Sequence, residues 1–501
     1  MPEQPAEVRA HNMQEVALGY TREQAMKEAS RCLNCPTKPC MQGCPVAIDI
    51  PGFLAKAAAG DFAGALAIIR KTSLLPAVCG RVCPQEKQCQ KFCTVGKVLK
   101  DVEKAVAIGR VERFVADNEA SDQIGDCKSQ VANCKNQLSS TAVQPSTFNL
   151  QPDLQHSSSR KRIAVIGSGP ASITCAADCA RLGYEVTMFE AFHKCGGVLV
   201  YGIPEFRLPK AIVRREIDNL RALGVKIETN ICIGRTLRLA DLLKKNNTFV
   251  QPPTSDLQPQ FDAVFIGTGA GLPKFMGIEG ENLNGVFSAN EYLTRANLMK
   301  AYDEGRADTP YWHGKRVAVL GGGNVAMDAS RMALRLGADK VYLVYRRSLE
   351  EMPARREEIH HAEEEGVEFR MLQNAKRILG DESGKVTGIE CLKYELGEPD
   401  ASGRRSPVAI AGSEFTLDVD TVIVAVGNAS NPLIPATTEG LEVNRRGNIV
   451  VDPETNMTSL PGVFAGGDIV LGAATVILAM GEGRKAAAGI HAWLTGSERT
   501  R

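Results

Sequence analysis

The chain has 501 residues, 44% of them apolar, and a formal net charge of +1 from 59 Lys and Arg against 58 Asp and Glu. This length predicts about three domains, and the near-neutral balance excludes a whole-chain field that would attract nucleic acid or an anionic membrane. No stretch reaches the ~20 apolar residues of a membrane span, and the N-terminus has no basic segment followed by an apolar one, so we expect a cytoplasmic protein with no membrane partner.

The cysteines are concentrated near the N-terminus, within residues 1–117, where short apolar periodicities predict a small helical domain. Eight of the fifteen form two groups: Cys32, Cys35, Cys40 and Cys44, then Cys79, Cys83, Cys89 and Cys93. In a reducing compartment such clustering indicates metal or redox ligation rather than disulfides. The short spacings and Cys-Pro pairs are typical of two [4Fe–4S] clusters. Zinc sites, which need only two Cys pairs, and buried structural thiols are the alternatives.

The other seven cysteines are expected to be packing residues or bystanders: Cys127, Cys134, Cys175, Cys179, Cys195, Cys232 and Cys391. Cys195 precedes two glycines, but no second cysteine at redox-motif spacing accompanies it, so we expect no redox-active disulfide there. Cys127 and Cys134 lie in residues 118–160, whose Ser, Gln, Asn and Thr content predicts a flexible linker or surface insertion. A Gln- and Pro-rich stretch over about 246–260 predicts a loop that lengthens a hairpin.

Alternating strand and helix patterns begin at residue 162 and are typical of parallel sheets. A first strand, 162–166, is followed by Gly167-Ser-Gly169 and a helix, and the next strand ends at Glu190. In such a unit the first glycine permits a tight turn, the second lets a pyrophosphate approach the backbone, and the helix N-terminus attracts the phosphates. Glu190 is placed to bind ribose hydroxyls. Ser172 replaces the usual third glycine, a modest departure.

A second unit of the same kind has a strand before Gly321-Gly-Gly323, a helix, and a second strand over 341–345. This strand ends in Arg346-Arg347, with no carboxylate at the ribose position. A carboxylate would repel a 2′-phosphate, whereas guanidinium groups bind one through charge-assisted hydrogen bonds. The second unit is therefore expected to prefer NADPH, unless the two arginines are only a solvated pair.

Different chemistry at the two ribose positions predicts two different dinucleotides, FAD in the first unit and NADPH in the second. Gly269, after a predicted strand, could return the chain to the flavin, and Asp468 could place a carboxylate near its ribityl chain or pyrophosphate, a plain turn being the alternative. The predicted division is a helical domain (1–117), a linker (118–160), a first FAD-binding part (161–312), an NADPH-binding domain (313–425) and a second FAD-binding part (426–501).

Several motifs covering nearly the whole chain resemble one protein family. They are Cys79-Gly-Arg-Val-Cys83-Pro-Gln-Glu, the run from Gly196 through Tyr201 to Lys210, Gly321 to Asp328, Tyr345-Arg-Arg, Glu351-Met-Pro353 and Gly466-Gly-Asp468. The sequence is similar to the NADPH-dependent glutamate synthase small-subunit family, which includes the large subunit of NADH-dependent ferredoxin:NADP oxidoreductase and the N-terminal half of dihydropyrimidine dehydrogenase. The resemblance implies an α/β protein with an N-terminal helical iron–sulfur domain followed by two Rossmann-like domains of the pyridine nucleotide-disulfide oxidoreductase type.

The resemblance also implies how the clusters are held. The first cluster would be bound by Cys32, Cys35, Cys40 and Cys93. The second would be bound by Cys44, Cys83, Cys89 and an oxygen ligand at Glu112. Cys79, which spacing alone counts as a ligand, is displaced in this pattern.

The residues expected to bind the dinucleotides are Gly167, Gly169, Pro170, Ala171, Glu190, Gly197, Arg207, Gly269, Gly321, Gly323, Asn324, Val325, Arg346, Arg347, Gly467, Asp468 and Thr475. No side chain is expected to act as a general acid or base, because hydride transfer is chemistry of the cofactors.

The resemblance implies that electrons pass from NADPH through FAD and two [4Fe–4S] clusters to a glutamate synthase large subunit, another acceptor subunit or a ferredoxin; a homo-oligomer is also compatible with it. Alternatives that share every motif are a bifurcating ferredoxin:NADP oxidoreductase subunit and the electron-donating subunit of a dihydropyrimidine or sulfide dehydrogenase. A non-enzymatic scaffold is disfavoured by the intact glycine turns and cysteine set.

Overall fold

The structure, a computed structural model, describes residues 1–118, 160–243, 261–303, 305, 307–310, 312–401 and 403–496. The predicted linker, apart from residues 118 and 160, and the loop predicted over 246–260 lie outside the described residues, and so do Cys127 and Cys134. Among the described residues, no helix combines the length and the apolar character that crossing a membrane requires.

The N-terminal domain is helical, as its periodicities predict. Its α-helices are α1 (Ala6–Arg9), α2 (Arg22–Ala29), α3 (Pro39–Gln42), α4 (Ile50–Ala58), α5 (Phe62–Arg70), α6 (Pro76–Val82), α7 (Thr94–Val98) and α8 (Ile108–Asp117), with 3₁₀ turns at Gln85–Lys87, Gln90–Phe92 and Val102–Lys104. Several helices begin at residues that accept hydrogen bonds from the first turn, for example Thr21 from the Gln24 amide and Asp61 from the Gly64 amide. Their apolar faces bury Phe53 and Ile69 completely.

The segment after residue 160 forms the first α/β unit. Its elements are β1 (Arg162–Ile166), α9 (Pro170–Arg181), β2 (Glu185–Phe189), α10 (Val198–Tyr201), α11 (Lys210–Ala222), β3 (Lys226–Glu228), α12 (Leu239–Leu242), β4 (Ala263–Ile266) and β5 (Leu272–Pro273).

A second α/β unit follows. Its elements are β6 (Val286–Ser288), α13 (Ala289–Asn297), β7 (Arg316–Leu320), α14 (Asn324–Arg335), β8 (Lys340–Tyr345), α15 (Arg356–Glu364), β9 (Glu368–Met371), β10 (Gln373–Gly380), β11 (Val386–Pro399), β12 (Arg405–Ala409), β13 (Phe415–Leu417) and β14 (Thr421–Val424).

The C-terminal part returns to the first unit. Its elements are β15 (Asn428–Ala429), α16 (Leu433–Ala436), β16 (Val463–Ala465), α17 (Asp468–Leu471) and α18 (Val476–Thr495). Strand β16 adds to the edge of the first sheet, beside β4. Strands β5 and β15 pair with each other in an antiparallel two-stranded sheet.

Both large sheets are parallel and have five strands, in the orders β16-β4-β1-β2-β3 and β6-β14-β7-β8-β9. Antiparallel strands β10 to β13 form an additional small sheet. Strand β6 pairs with β14, so the second sheet takes in residues that the sequence-based division places in the first unit. A three-residue strand is too short to show a hydrophobic period, which is why the sequence pattern gave no sign of this pairing.

Helix α18 packs closely on α9, the helix that follows the first glycine turn. A Cβ atom at Gly483 would lie 2.2 Å from the Ala171 carbonyl oxygen, and one at Gly467 would lie 2.8 Å from the Ala171 Cβ. Gly483 therefore lets the C-terminal helix approach the turn more closely than a larger side chain would allow, and Gly467 does the same for the segment that leads into α17.

We predict that Gly483→Ala destabilises the protein by about 1–3 kcal/mol, the usual cost of inserting an extra carbon into a close-packed contact. Thermal and denaturant unfolding of the purified protein measure the effect. The control is Lys485→Ala, which removes an ion pair with Glu482 at a half-exposed position of the same helix and should change stability by less than about 0.5 kcal/mol. Equal unfolding midpoints for the two variants would contradict the packing role of Gly483.

Candidate functional site

The first set of cysteines converges on one cavity. Cys32, Cys35, Cys40 and Cys93 all line it, together with the start of helix α7. The Cys35 Sγ lies 3.2 Å from the Thr94 hydroxyl, and burial raises the pKa of Cys40 to about 11. Four converging sulfur atoms form a donor set suited to a [4Fe–4S] cluster, which binds cysteine thiolates.

The second set surrounds Glu112 on helix α8. The Glu112 side chain is buried, its Oε1 has no hydrogen-bond partner among the described residues, and burial raises its pKa to about 8. The pKa values of the Cys44 and Cys89 thiols are raised mainly by burial. The negative charge of Glu112 raises them further, together with neighbouring cysteines. A buried carboxylate oxygen without a partner is costly. It fits a site in which a metal centre supplies the missing positive charge.

Cys79 lies in the same place but has partners of its own. It is almost fully buried, and its thiol donates a hydrogen bond to the Met480 Sδ at 3.6 Å. A hydrogen bond with Cys83, followed by burial, raises the pKa of Cys79 well above its usual value. The structure thus brings together five candidate donors: Cys44, Cys79, Cys83, Cys89 and Glu112. Among them, Cys79 is held by Met480 on one side and by Cys83 on the other.

Two glycines allow helices α6 and α8 to bring these donors together. A Cβ at Gly80 would lie 2.6 Å from the Arg113 backbone nitrogen, and one at Gly109 would lie 2.1 Å from the Gln85 Nε2. A larger residue at position 80 would push α6, which carries Cys79, away from the backbone of α8, whereas one at position 109 would displace the Gln85 side chain.

The first glycine turn has the geometry that its sequence predicts. Gly167 has φ +90°, and a Cβ there would lie 2.7 Å from the Gly267 carbonyl oxygen. Nothing lies within 4 Å of the Cβ position at Gly169, the residue that precedes α9. Open space at the N-terminus of a long helix, with free amide groups, suits a pyrophosphate. Gly269, at the end of the neighbouring strand, also has positive φ and open space around it.

Glu190 is buried beside this turn. Its carboxylate accepts hydrogen bonds from the Phe192 amide at 2.8 Å and from the Ser168 hydroxyl, and the same hydroxyl accepts one from the Gly196 amide at 2.9 Å. Gly197 has φ +55°, and its Cβ position lies 2.9 Å from the Gly169 Cα. Glycines 196 and 197 therefore pack directly on the turn.

Asp468 and Tyr201 are half-buried and lie in one region near the turn. Burial raises the pKa of Asp468 to about 6, and its Oδ1 has no partner among the described residues. Burial raises the pKa of Tyr201 to about 12, with further effects from Asp468 and Glu190. The orphaned oxygen fits a flavin hydroxyl as partner. The sequence analysis did not select Tyr201 or Ser168 as cofactor-binding residues; Tyr201 lies in a family motif, and Ser168 lies between the two turn glycines.

Helix α18 lies between the first glycine turn and the second cysteine set. Its Met480 contacts Cys79, and a Cβ at its Gly481 would lie 3.2 Å from the carbonyl oxygen of Pro45, the residue after Cys44. Thr475 caps the helix by accepting a hydrogen bond from the Leu478 amide and also contacts Gln88. In contrast, the cavity of the first cysteine set is lined entirely by residues 32–108. The second set is therefore the one next to α18 and the first glycine turn.

The second glycine turn repeats the pattern of the first. A Cβ at Gly321 would lie 2.4 Å from the Ala425 carbonyl oxygen, and the space around Gly323 is open. The Asn324 side-chain oxygen accepts a hydrogen bond from the Arg355 amide at 2.9 Å, so it fixes the loop before α15. Val325, in the first turn of α14, is 38% exposed.

The two arginines after β8 have different environments. Arg347 is buried; its Nε donates to the Arg405 carbonyl at 2.8 Å and its Nη2 pairs with Asp400 at 2.5 Å. Arg346 is exposed. Only Arg346 presents its guanidinium to solvent beside the turn, whereas Arg347 attaches strand β8 to the small antiparallel sheet.

Arg207 lies in a buried ion-pair network. It contacts both carboxylate oxygens of Asp328 at 2.8 Å and Glu358 at 2.9 Å. Burial alone would raise the pKa of Glu358, but Arg207 and Arg331 outweigh it and bring the pKa to about 2. Asp328 lies on α14, so Arg207 ties the 201–210 segment to the second α/β unit, and its guanidinium is occupied by carboxylates.

Two family models match the chain. Residues 9–124 match dihydropyrimidine dehydrogenase domain II, 4Fe-4S cluster, and residues 161–483 match pyridine nucleotide-disulphide oxidoreductase. The second match covers more than half of the chain.

Relatives of known name are similar over most of the chain. The glutamate synthase [NADPH] small chain of Escherichia coli is 35% identical over 500 residues, which cover 98% of this chain and 96% of that protein. The NADP(+)-dependent formate dehydrogenase subunit beta of Moorella thermoacetica is 40% identical over 463 residues, which cover 91% of this chain. The matched region spans only 60% of the Moorella protein. The NADPH-Fe(3+) oxidoreductase subunit beta of Geobacter sulfurreducens is 36% identical over 91% of this chain and 64% of its own length.

Among solved structures, FprA from Mycobacterium tuberculosis has a TM-score of 0.55 at 18% sequence identity. The match covers 68% of this chain and 86% of the FprA chain. This likeness confirms the predicted α/β fold. The cofactors of the chain are FAD, NADPH and [4Fe–4S] iron–sulfur centres, in agreement with the glycine turns and the cysteine sets. The chain belongs to the glutamate synthase small-chain family of NADPH-dependent flavin and iron–sulfur oxidoreductases.

Proposed function

We propose that the chain carries electrons from NADPH through FAD and two [4Fe–4S] clusters to a glutamate synthase large subunit. The observation that carries the proposal is helix α18, which packs on the first glycine turn at Ala171 and on the second cysteine set at Cys79. The likeness to the E. coli small chain over 96% of that protein supports the choice of partner.

The two glycine turns bind different dinucleotides in this proposal. The first turn, with Gly167, Gly169 and Glu190, binds the adenosine end of FAD, and Asp468 and Tyr201 lie towards its other end. The second turn binds NADPH, with Arg346 at the 2′-phosphate. Bound flavin supplies the conversion of a hydride into single electrons. The protein contributes orientation and exclusion of water, and no side chain needs to act as acid or base.

Two ligand sets hold the clusters in this proposal. The cluster nearer the flavin takes Cys44, Cys83, Cys89 and Glu112, and the distal cluster takes Cys32, Cys35, Cys40 and Cys93. Contacts with α18 support this order, because they come from Cys79, Pro45 and Gln88, all next to ligands of the nearer cluster. Electrons would leave the protein from the distal cluster.

A second candidate function keeps the same path and changes the acceptor. The 40% identity with the Moorella formate dehydrogenase subunit favours an electron-transfer subunit of another oxidoreductase. A ferredoxin:NADP oxidoreductase subunit would also use this path. Co-purification with the chain's native partner, followed by identification of that partner, distinguishes these possibilities.

The proposal predicts that NADPH, added without oxygen, bleaches both the flavin and the broad iron–sulfur absorbance of the purified protein. Electron paramagnetic resonance of the same sample should then show reduced clusters. Bleaching of the flavin with unchanged cluster spectra would contradict transfer through the iron–sulfur domain. A protein loaded with FAD and iron that does not react with NADPH would contradict the proposal altogether.

The ligand assignment predicts different effects of two substitutions. Glu112→Ala should remove the nearer cluster and lower the iron content from about eight to about four per chain, because it deletes the oxygen ligand. Cys79→Ser should leave the iron content unchanged. Iron analysis and electron paramagnetic resonance provide the measurements, with Cys83→Ser as the control that loses the nearer cluster. Loss of iron in Cys79→Ser but not in Glu112→Ala would reverse the assignment.

The different environments of the two arginines predict a selective effect. Arg346→Ala should raise KM for NADPH by roughly 10- to 100-fold, since a hydrogen bond to a charged group contributes about 1.5–3 kcal/mol, and should leave KM for NADH nearly unchanged. Steady-state kinetics with both nucleotides tests this. Arg347→Ala is the comparison: it should lower the unfolding temperature, because it breaks the contacts with Arg405 and Asp400. Equal increases of both KM values in Arg346→Ala would rule out the 2′-phosphate contact.

A further inference from the structure

The surface beside the first cysteine set exposes three large apolar side chains. Leu33, Val98 and Leu99 are 61%, 72% and 50% exposed. Leu33 lies between Cys32 and Cys35 and lines the cysteine cavity with the first residues of α7, while Val98 is the last residue of that helix. Exposed apolar groups clustered around one functional site are typical of an interaction surface.

The same surface is positively charged. Residues 87–100 contain four lysines and no acidic residue. Lys91, Lys97 and Lys100 are exposed. The acidic residues that follow have other partners, since Asp101 pairs with Lys104 at 3.5 Å and Glu103 with Arg356 at 3.5 Å. The lysines therefore give the apolar side chains a basic surrounding.

This surface adjoins the end of the proposed electron path that lies away from α18. Cys32 and Cys35 are themselves only half-buried, so an acceptor seated on Leu33 would come close to the cluster they hold. Apolar contact combined with opposite charge is suited to a protein partner, because charge steers the approach and sets the orientation while the apolar side chains supply contact area.

We propose that Leu33, Val98, Leu99, Lys91, Lys97 and Lys100 form the docking surface for an electron-accepting protein that presents carboxylates around an apolar centre. The inference rests on the proposed function and adds the exit point and the charge of the partner. Each NADPH yields NADP⁺, one proton and two electrons. The electrons leave one at a time, and each reduces the oxidised one-electron centre of one acceptor molecule.

The test uses the loaded full-length protein and two haem proteins of opposite surface charge, acidic cytochrome b5 and basic cytochrome c. For the unmodified protein, kcat/KM towards cytochrome b5 should fall as ionic strength rises. The double variant Lys97→Glu, Lys100→Glu should lower it by roughly tenfold or more and should raise kcat/KM towards cytochrome c. Val98→Ser, at an exposed position, should lower kcat/KM for both acceptors, because it removes apolar contact.

Two controls separate docking from electron input. Lys226→Glu reverses an exposed charge on β3, the edge strand of the first sheet, and should leave the cytochrome b5 rate unchanged. Reduction of menadione, a small neutral acceptor, and bleaching of the clusters by NADPH should be the same in all variants.

Several results would overturn the proposal. One is an unchanged cytochrome b5 rate in the double variant with normal cluster bleaching, which defeats the docking surface alone. Another is a change of oligomeric state in Val98→Ser, which would assign the surface to a second copy of the chain. Failure of NADPH to bleach the clusters of the unmodified protein would defeat the proposed function, and the docking surface with it.

Discussion

The arrangement of the whole protein depends on how closely helix α18 packs between two other parts of the chain. On one side it meets α9 at Ala171, and on the other it meets the loop after Cys44 at Pro45 and helix α6 at Cys79. Glycines at positions 481 and 483 make both contacts short. Close-packed interiors do not adjust freely to an added carbon. The first glycine turn and the second cysteine set therefore have a fixed mutual position, and binding in one is expected to affect order in the other.

Charged contacts fix the second α/β unit relative to the rest. Arg207 joins the 201–210 segment to Asp328 and Glu358, and Arg355 donates to the Arg81 carbonyl at 2.8 Å, next to the cysteine at position 83. Lys87 adds a hydrogen bond to the Pro353 carbonyl at 2.7 Å. Buried ion pairs contribute little net stability after desolvation, but breaking one partner is costly. Their effect here is to define a single arrangement of the three domains.

Glu112 illustrates how burial prepares a site for a metal centre. Its carboxylate has lost water without gaining a hydrogen bond at Oε1, so the folded protein holds it at a free-energy cost that a positively charged partner relieves. Asp468, near the first glycine turn, is in a similar position: burial raises its pKa to about 6, and its Oδ1 has no partner among the described residues. In both places the unpaired oxygen raises the free energy of the folded protein when no ligand is bound. A ligand that binds there would therefore stabilise the folded state.

Local sequence determined much of this protein: the turns at Gly167 and Gly321, the parallel strands around them, the grouping of the cysteines and the small helical domain. These features follow from backbone freedom, hydrophobic period and ligand spacing, all of which act within a few residues. Only the tertiary structure decided that Arg346 is exposed while Arg347 is buried, and that carboxylates hold Arg207. It also decided that β6 joins the second sheet and that Met480 contacts Cys79. Each of these depends on a partner distant in sequence, and no local pattern records which distant residue will lie beside a given side chain.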